Sequence, residues 1–169
     1  FNDIFNEKDM ITLQELLRST NSTITTAESC TGGLVAHMIT KTSGSSDIFN
    51  GAIVTYSNKI KNQELNVKND TLEKHGAVSV QVVSEMLDGV IKKFDANFAI
   101  AISGIAGPNG GSKDKPVGTV VIGISDSKHQ KIININLFKG SREEIQIQAA
   151  KSSLREILKF IKNTLDKIN

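Results

Sequence analysis

The sequence is short of the residues that staple small folds or hold metals. A single cysteine, Cys30, excludes an internal disulfide framework. That usage fits a reducing compartment, and a cytoplasmic location is expected. The three histidines, His37, His75 and His129, are scattered with no cysteine cluster beside them, so no metal site is expected. Charge of one sign is lacking too: 20 basic against 18 acidic residues leave +2. With no aromatic interleaving of the basic residues, this speaks against a nucleic-acid partner. No apolar run approaches the roughly 20 residues that span a bilayer, and no signal-peptide pattern opens the chain, so no membrane partner is expected. Tryptophan is absent and tyrosine occurs once, at Tyr56. The first residue, Phe1 rather than Met, points to trimming or a leader. At 169 residues the chain can bury a core without staples. Residues 1–169 are expected to form one soluble, intracellular domain.

What is present alternates between helical and extended patterns. Met10, Leu13, Leu16 and Leu17 share one face of a helix over Glu7 to Arg18. Thr23 to Thr26 is a β-branched run that predicts a short strand. Helical spacing resumes through Leu34, Val35, Met38 and Ile39. Gly51 to Tyr56 predicts a buried strand, and Asn58 a cap for a helix over Lys59 to Leu65. Val80 to Phe94 predicts another helix, with Val83, Met86, Leu87, Val90 and Ile91 inward. Phe98 to Ile102 lacks polar alternation, as a strand buried on both faces does. Val117 to Ile124 and Lys131 to Phe138 follow, close enough to form an antiparallel hairpin. Ser141 to Ile168 predicts a long closing helix opened by a capping box of Ser141 with Glu144. The order implies an α/β fold: a layered α/β/α domain around a mixed sheet with a late antiparallel hairpin.

Three segments carry candidate chemistry. Gly104 to Pro116 holds four of the thirteen glycines and both prolines, and it follows a buried strand. Open α/β sheets place ligand loops there, and glycines let backbone N–H groups approach an anion. An ordinary surface turn is the competing reading. The loop carries neither a Walker A motif nor a dinucleotide fingerprint.

The second segment, Glu28-Ser29-Cys30-Thr31-Gly32-Gly33, is a strand-to-helix turn. A helix start offers unpaired N–H groups and partial positive charge to a phosphate or an oxyanion. Cys30 there is expected to have a lowered pKa, whereas Ser29 needs a separate base. Alternatively Ser29 or Thr31 merely caps the helix. His37 is a poor base for Ser29, since eight residues of helix span roughly 12 Å. His75 and His129 fall in polar stretches and are expected to be solvated. Lys61 fits better. In the first turn of its helix, partly desolvated, it would be a neutral amine able to take a proton from serine directly or through the Tyr56 hydroxyl. A solvated helix lysine is the plain alternative.

The third is Arg142, a cation at a helix start, where the dipole disfavours it. Either an anionic ligand or a contact with Glu28 or Asp114 would offset that.

Taken together, four stretches resemble the CinA C-terminal domain family: Thr26 to Gly33; Tyr56-Ser57-Asn58 with Lys61; Ser103 to Pro108 through Pro116 to Val120; and Phe138 to Arg142. They stand in the family's order and spacing. The larger family members carry an additional N-terminal domain, and this chain resembles the stand-alone form. The resemblance implies hydrolysis of the carboxamide of nicotinamide mononucleotide (NMN) to nicotinate mononucleotide and ammonia, in NAD recycling, without cofactor or metal. It implies Ser29 as nucleophile and Tyr56 and Lys61 as its activating pair. For substrate binding it implies the Cys30, Thr31, Gly32 and Gly33 turn, Ser46, the loop residues Ser103, Gly104, Ala106 and Gly107, and Arg142 as phosphate partner. It also implies a homodimer. Two departures stand out: Ser103 where the family often has threonine, and Lys59 where it often has an acid. Two other functions compete. One is a Ser–Lys amidase for another small amide. The other is a non-catalytic nucleotide- or partner-binding module linked to competence or DNA damage.

Overall fold

The computed structural model describes residues 1–168. Five strands form one sheet in the order β2-β1-β3-β4-β5: β1 is Ile24–Glu28, β2 Ile53–Val54, β3 Phe98–Gly104, β4 Thr119–Asp126 and β5 Lys131–Leu137. β1 runs parallel to β2 and β3, and β4 is antiparallel to both β3 and β5. The expected hairpin is therefore present, and antiparallel pairing begins one strand earlier, at β3. The α-helices are α1 (Glu7–Ser19), α2 (Leu34–Lys41), α3 (Asn58–Leu65), α4 (Asn69–His75), α5 (Val80–Phe94) and α6 (Arg142–Ile168).

Strand alternation divides the core in two. Ile24, Phe98, Ile100, Ile102, Val120, Ile122 and Ile124 face α1, α2 and α6. Ala27, Ala99, Ala101 and Val121 face Val83, Met86, Leu87 and Val90 of α5, with Leu65 and Leu72 of α3 and α4 completing that layer. Large residues fill one face and small ones the other, so α5 lies close against the sheet. Each fully buried aliphatic side chain contributes about 1.5–3 kcal/mol, which makes the sheet centre the rigid part of the molecule. Among the described residues no helix is long and apolar enough to cross a membrane.

Three local expectations are corrected. Only Ile53 and Val54 of the predicted 51–56 strand are extended in the sheet, and Val54 is exposed. β2 lies at the sheet edge, with β1 as its one neighbour, so the run is not buried on both sides. Ser57, not Asn58, caps α3, its hydroxyl accepting from Ile60 N–H. α4, not expected from the sequence, is a seven-residue helix whose only buried side chain is Leu72, too few for a periodic signal. The capping box of α6 forms as expected: Ser141 N–H donates to Glu144 Oε1, and Glu144 N–H to Ser141 Oγ.

Candidate active site

The three parallel strands point the same way, so the residues just past their C-terminal ends meet at one edge of the sheet. Ser29 follows β1, Tyr56 follows β2 and Ser103 is the last residue but one of β3. Open α/β sheets place their crevices at this edge. A cavity of about 200 Å³ sits there, lined by Ser29, Cys30, Tyr56, Asn58, Lys61, Ala77, Val78, Ser103, Gly104, Ala106 and Arg142. A larger groove of about 640 Å³ lies at the far end of α2, between Phe5, Met10, Met38 and Lys41. Among the described residues no hydroxyl of its lining is hydrogen-bonded to a lysine.

Lys61 is the unusual residue of the cavity. It is 1 % exposed, the largest fully buried side chain, and it makes no ion pair among the described residues. Its Nζ lies 3.1 Å from Ser29 Oγ and 3.3 Å from the Tyr56 carbonyl oxygen. Burial lowers its pKa, because an ammonium loses hydration that no carboxylate replaces. Ser29, 7 % exposed, also reaches the Tyr56 carbonyl, at 3.4 Å. One hydroxyl and one amine thus share a backbone acceptor.

The Ser29 turn is held from three directions. Ser29 N–H extends the β1–β3 ladder by donating to Ile102 O, and Gln146 Nε2 of α6 donates to Cys30 O at 2.9 Å. The third hold is Glu28, fully buried at the end of β1. Its carboxylate accepts from Thr26 Oγ1, Thr31 Oγ1, Val35 N–H and Ala36 N–H. Gly33, the N-cap of α2, has left-handed backbone and no side chain to cap with, so Glu28 does the capping from the strand.

This changes the reading of the turn. The α2 N-terminus is not open to a ligand anion, because Glu28 occupies its N–H groups. Thr31 faces Glu28, and Gly32 and Gly33 shape the turn without lining the cavity. The backbone N–H groups of Cys30 and Thr31 have no oxygen acceptor among the described residues. Cys30 also differs from expectation. Burial foremost, and then Glu28, push its thiol up to about 12 instead of down.

Tyr56 enters the site by its main chain. Its side chain is 61 % exposed and its hydroxyl lies 3.0 Å from Arg142 Nη2, away from Ser29 and Lys61. Arg142 also donates to Gly107 O, and it makes no ion pair with Glu28 or Asp114. Among the described residues its guanidinium therefore reaches the cavity rim with neutral partners only. Gly104 presses against the turn: a Cβ there would come within 3.0 Å of Cys30 Sγ. Ser46 is not in the cavity. α2 runs back along β1, leaving Ser46 exposed in a short 3₁₀ turn beside the start of that strand, where Ile24 N–H meets Ile48 O. His129 is exposed and bonded to Asp88, as expected of a solvated histidine. Asn58, Ala77 and Val78 line the cavity without having been singled out as such. The last two come from the loop after α4, whose sequence carries no chemical signal.

Comparison with known proteins decides the family. The model of the CinA C-terminal domain matches residues 7–161. The chain belongs to the CinA C-terminal domain family. Among CinA relatives, the nicotinamide-nucleotide amidohydrolase PncC of Escherichia coli K12 is 45% identical over 151 residues, 89% of this chain and 92% of that protein. A CinA-like protein of Syntrophomonas wolfei is 48% identical over 147 residues, 87% of this chain, which spans only 35% of that protein's length. A solved CinA superfamily protein of Klebsiella pneumoniae superposes with a TM-score of 0.88 at 31% identity, covering 92% of this chain and 97% of that one.

Proposed function

We propose that this CinA-family chain is a nicotinamide-nucleotide amidohydrolase, converting NMN and water to nicotinate mononucleotide and ammonia. The observation that carries the reading is the buried Lys61 amine, without an ion pair among the described residues, 3.1 Å from Ser29 Oγ. Its relatives named for this activity are matched over nearly their whole length.

The chemistry follows from the protonation states. A neutral Lys61 has a lone pair, and the Ser29 hydroxyl hydrogen turns from the Tyr56 carbonyl to Lys61 Nζ. Ser29 Oγ attacks the carboxamide carbon as its proton passes to Lys61. The oxygen gains charge, and Cys30 and Thr31 N–H are the donors beside it. The C–N bond then breaks, and Lys61 returns the proton to the departing nitrogen, which leaves as ammonia. Water repeats the cycle on the acyl-serine, with Lys61 again accepting the proton. Tyr56 holds the pair by its carbonyl and steadies Arg142 by its hydroxyl. Arg142, without a carboxylate partner among the described residues, is the phosphate contact. Ser103, Gly104 and Ala106 line the cavity beside the nucleophile turn. The acting form is a cytoplasmic homodimer of this domain, supported by the exposed Ile135 and Leu137 on edge strand β5.

The test is ammonia release from NMN by the purified protein, with Ser29→Ala as a paired control. Release by the wild type alone is expected. Equal release by Ser29→Ala removes Ser29 as nucleophile, and no release by a folded wild type removes the reaction.

A further inference from the structure

The glycine-rich loop lines the cavity only at its root, through Gly104 and Ala106, while its far end, 107–116, runs outward with most residues exposed. One residue of that far end turns back. Lys115 is half-buried, and its Nζ donates to the His75 carbonyl at 2.8 Å. His75 is the last residue of α4, so Lys115 meets the negative end of a helix, where a cation is stabilised.

Two further features are built around this contact. The loop end is folded back on itself to present the lysine: Ser112 N–H donates to Lys115 O, and Lys115 N–H to Ser112 Oγ. On the receiving side stands Gly76, with φ +76, where a Cβ would sit 3.3 Å from Lys115 Nζ. A side chain there would be strained by the backbone and would crowd the ammonium. The next carbonyl is secured as well, since Ser79 Oγ donates to Gly76 O at 2.8 Å. Between these two anchors lie Ala77 and Val78, the apolar wall of the cavity.

We propose that Lys115 is a positioning residue. It straps the glycine-rich loop to the end of α4 and so sets the gap between Ala77–Val78 and Gly104–Ala106, the slot that takes the flat ring of an aromatic carboxamide. This deepens the amidohydrolase reading and rests on it for the identity of the ring. Lys115 touches neither Ser29 nor Lys61, so its loss misplaces substrate and leaves the nucleophile and base paired. The Gly104–Ala106 side is already held to β4, through Ile105 N–H to Thr119 O and Gly118 N–H to Ile105 O, so the strap acts on the Ala77–Val78 side of the slot.

The experiment compares wild type, Lys115→Met and Lys115→Arg by NMN kinetics and by hydrogen exchange of the ligand-free proteins. In Lys115→Met the KM for NMN is expected to rise about tenfold, the weight of one hydrogen bond to a charged group. Its kcat is expected to stay within about twofold, and Lys115→Arg to recover most of the loss. Exchange at residues 76–78 should rise in Lys115→Met while the sheet centre stays protected. Unchanged exchange at 76–78 overturns the strap even if no protein turns over NMN, so its failure is distinct from failure of the amidohydrolase reading. A loss in kcat at constant KM, or no kinetic change at all, overturns the slot.

Discussion

Two helix starts flank the cavity, α2 behind Ser29 and α6 at Arg142, and both have the sequence features of an anion site. Only one is available. At α2 the chain supplies its own anion: Glu28 accepts from two helical N–H groups and two threonine hydroxyls, out of contact with solvent. At α6 the capping box satisfies the helix locally, and Arg142, in the first turn, reaches over the rim to a carbonyl and a phenol. The difference teaches that a helix end becomes a ligand site only where the fold leaves its charge uncompensated. α2 contributes rigidity to the nucleophile; α6 contributes to the cavity a guanidinium with no ion pair among the described residues.

The largest effect is expected between the two ends, at the base itself. Lys61→Met should lower kcat by about 10²–10⁴-fold, the usual weight of a positioned proton acceptor. Wild-type activity should rise with pH through the lowered Lys61 pKa and level off before the ordinary value of 10.5, and the variant should lose that limb. Stability moves the other way. The unfolded chain holds the Lys61 proton more tightly than the folded one, so burial of this lysine opposes folding at neutral pH. Lys61→Met should therefore melt higher than wild type near neutrality, with the gain shrinking as pH climbs towards 10.5. A pH–rate series and thermal melts at several pH values check both signs.

Next comes the closed end. Glu28→Ala leaves Val35 N–H, Ala36 N–H and the Thr31 hydroxyl unpaired in the interior and should cost about 3 kcal/mol of stability, read by denaturant unfolding. If α2 were instead an open anion site, the variant would keep its stability and lose only substrate affinity.

At the open end, Arg142→Ala should raise the KM for NMN about tenfold with a smaller change in melting temperature than Glu28→Ala. Equal damage to stability at both positions would erase the contrast between the two helix starts. The smallest effect is expected at Cys30. Its thiol is buried and, with its pKa pushed up to about 12, stays protonated at working pH, so Cys30→Ala should keep kcat within about twofold. A thiol-directed reagent should label the folded protein slowly.

Much of this was legible in the residues. The helix over Val80 to Phe94 matches α5 at both ends because its apolar spacing is unbroken and Asp95 stops it in left-handed backbone. The hairpin and the capped closing helix follow from turn length and from a local box. Arg142 was identifiable as a candidate because a cation is odd at a helix start, whereas Ser29 and Lys61, each ordinary in its place, stood out only in combination and through the family resemblance. Glu28 was not. A carboxylate at a strand end looks solvated until the next helix is seen to start on top of it. Ser57 displaced Asn58 as cap because capping depends on a single dihedral, and α4 with its following loop carried too little pattern to read.

The amino-acid sequence by itself determined the element order, the apolar faces and the kind of chemistry available, since these depend on spacing along a few turns of chain. Only the tertiary structure decided which charges are spent. Whether Glu28 caps or binds, whether Lys61 is buried or solvated, and which part of Tyr56 meets the nucleophile are settled by strands and helices distant in sequence. Solvation and ion pairing depend on what packs within a few ångströms, and that is set by the fold as a whole.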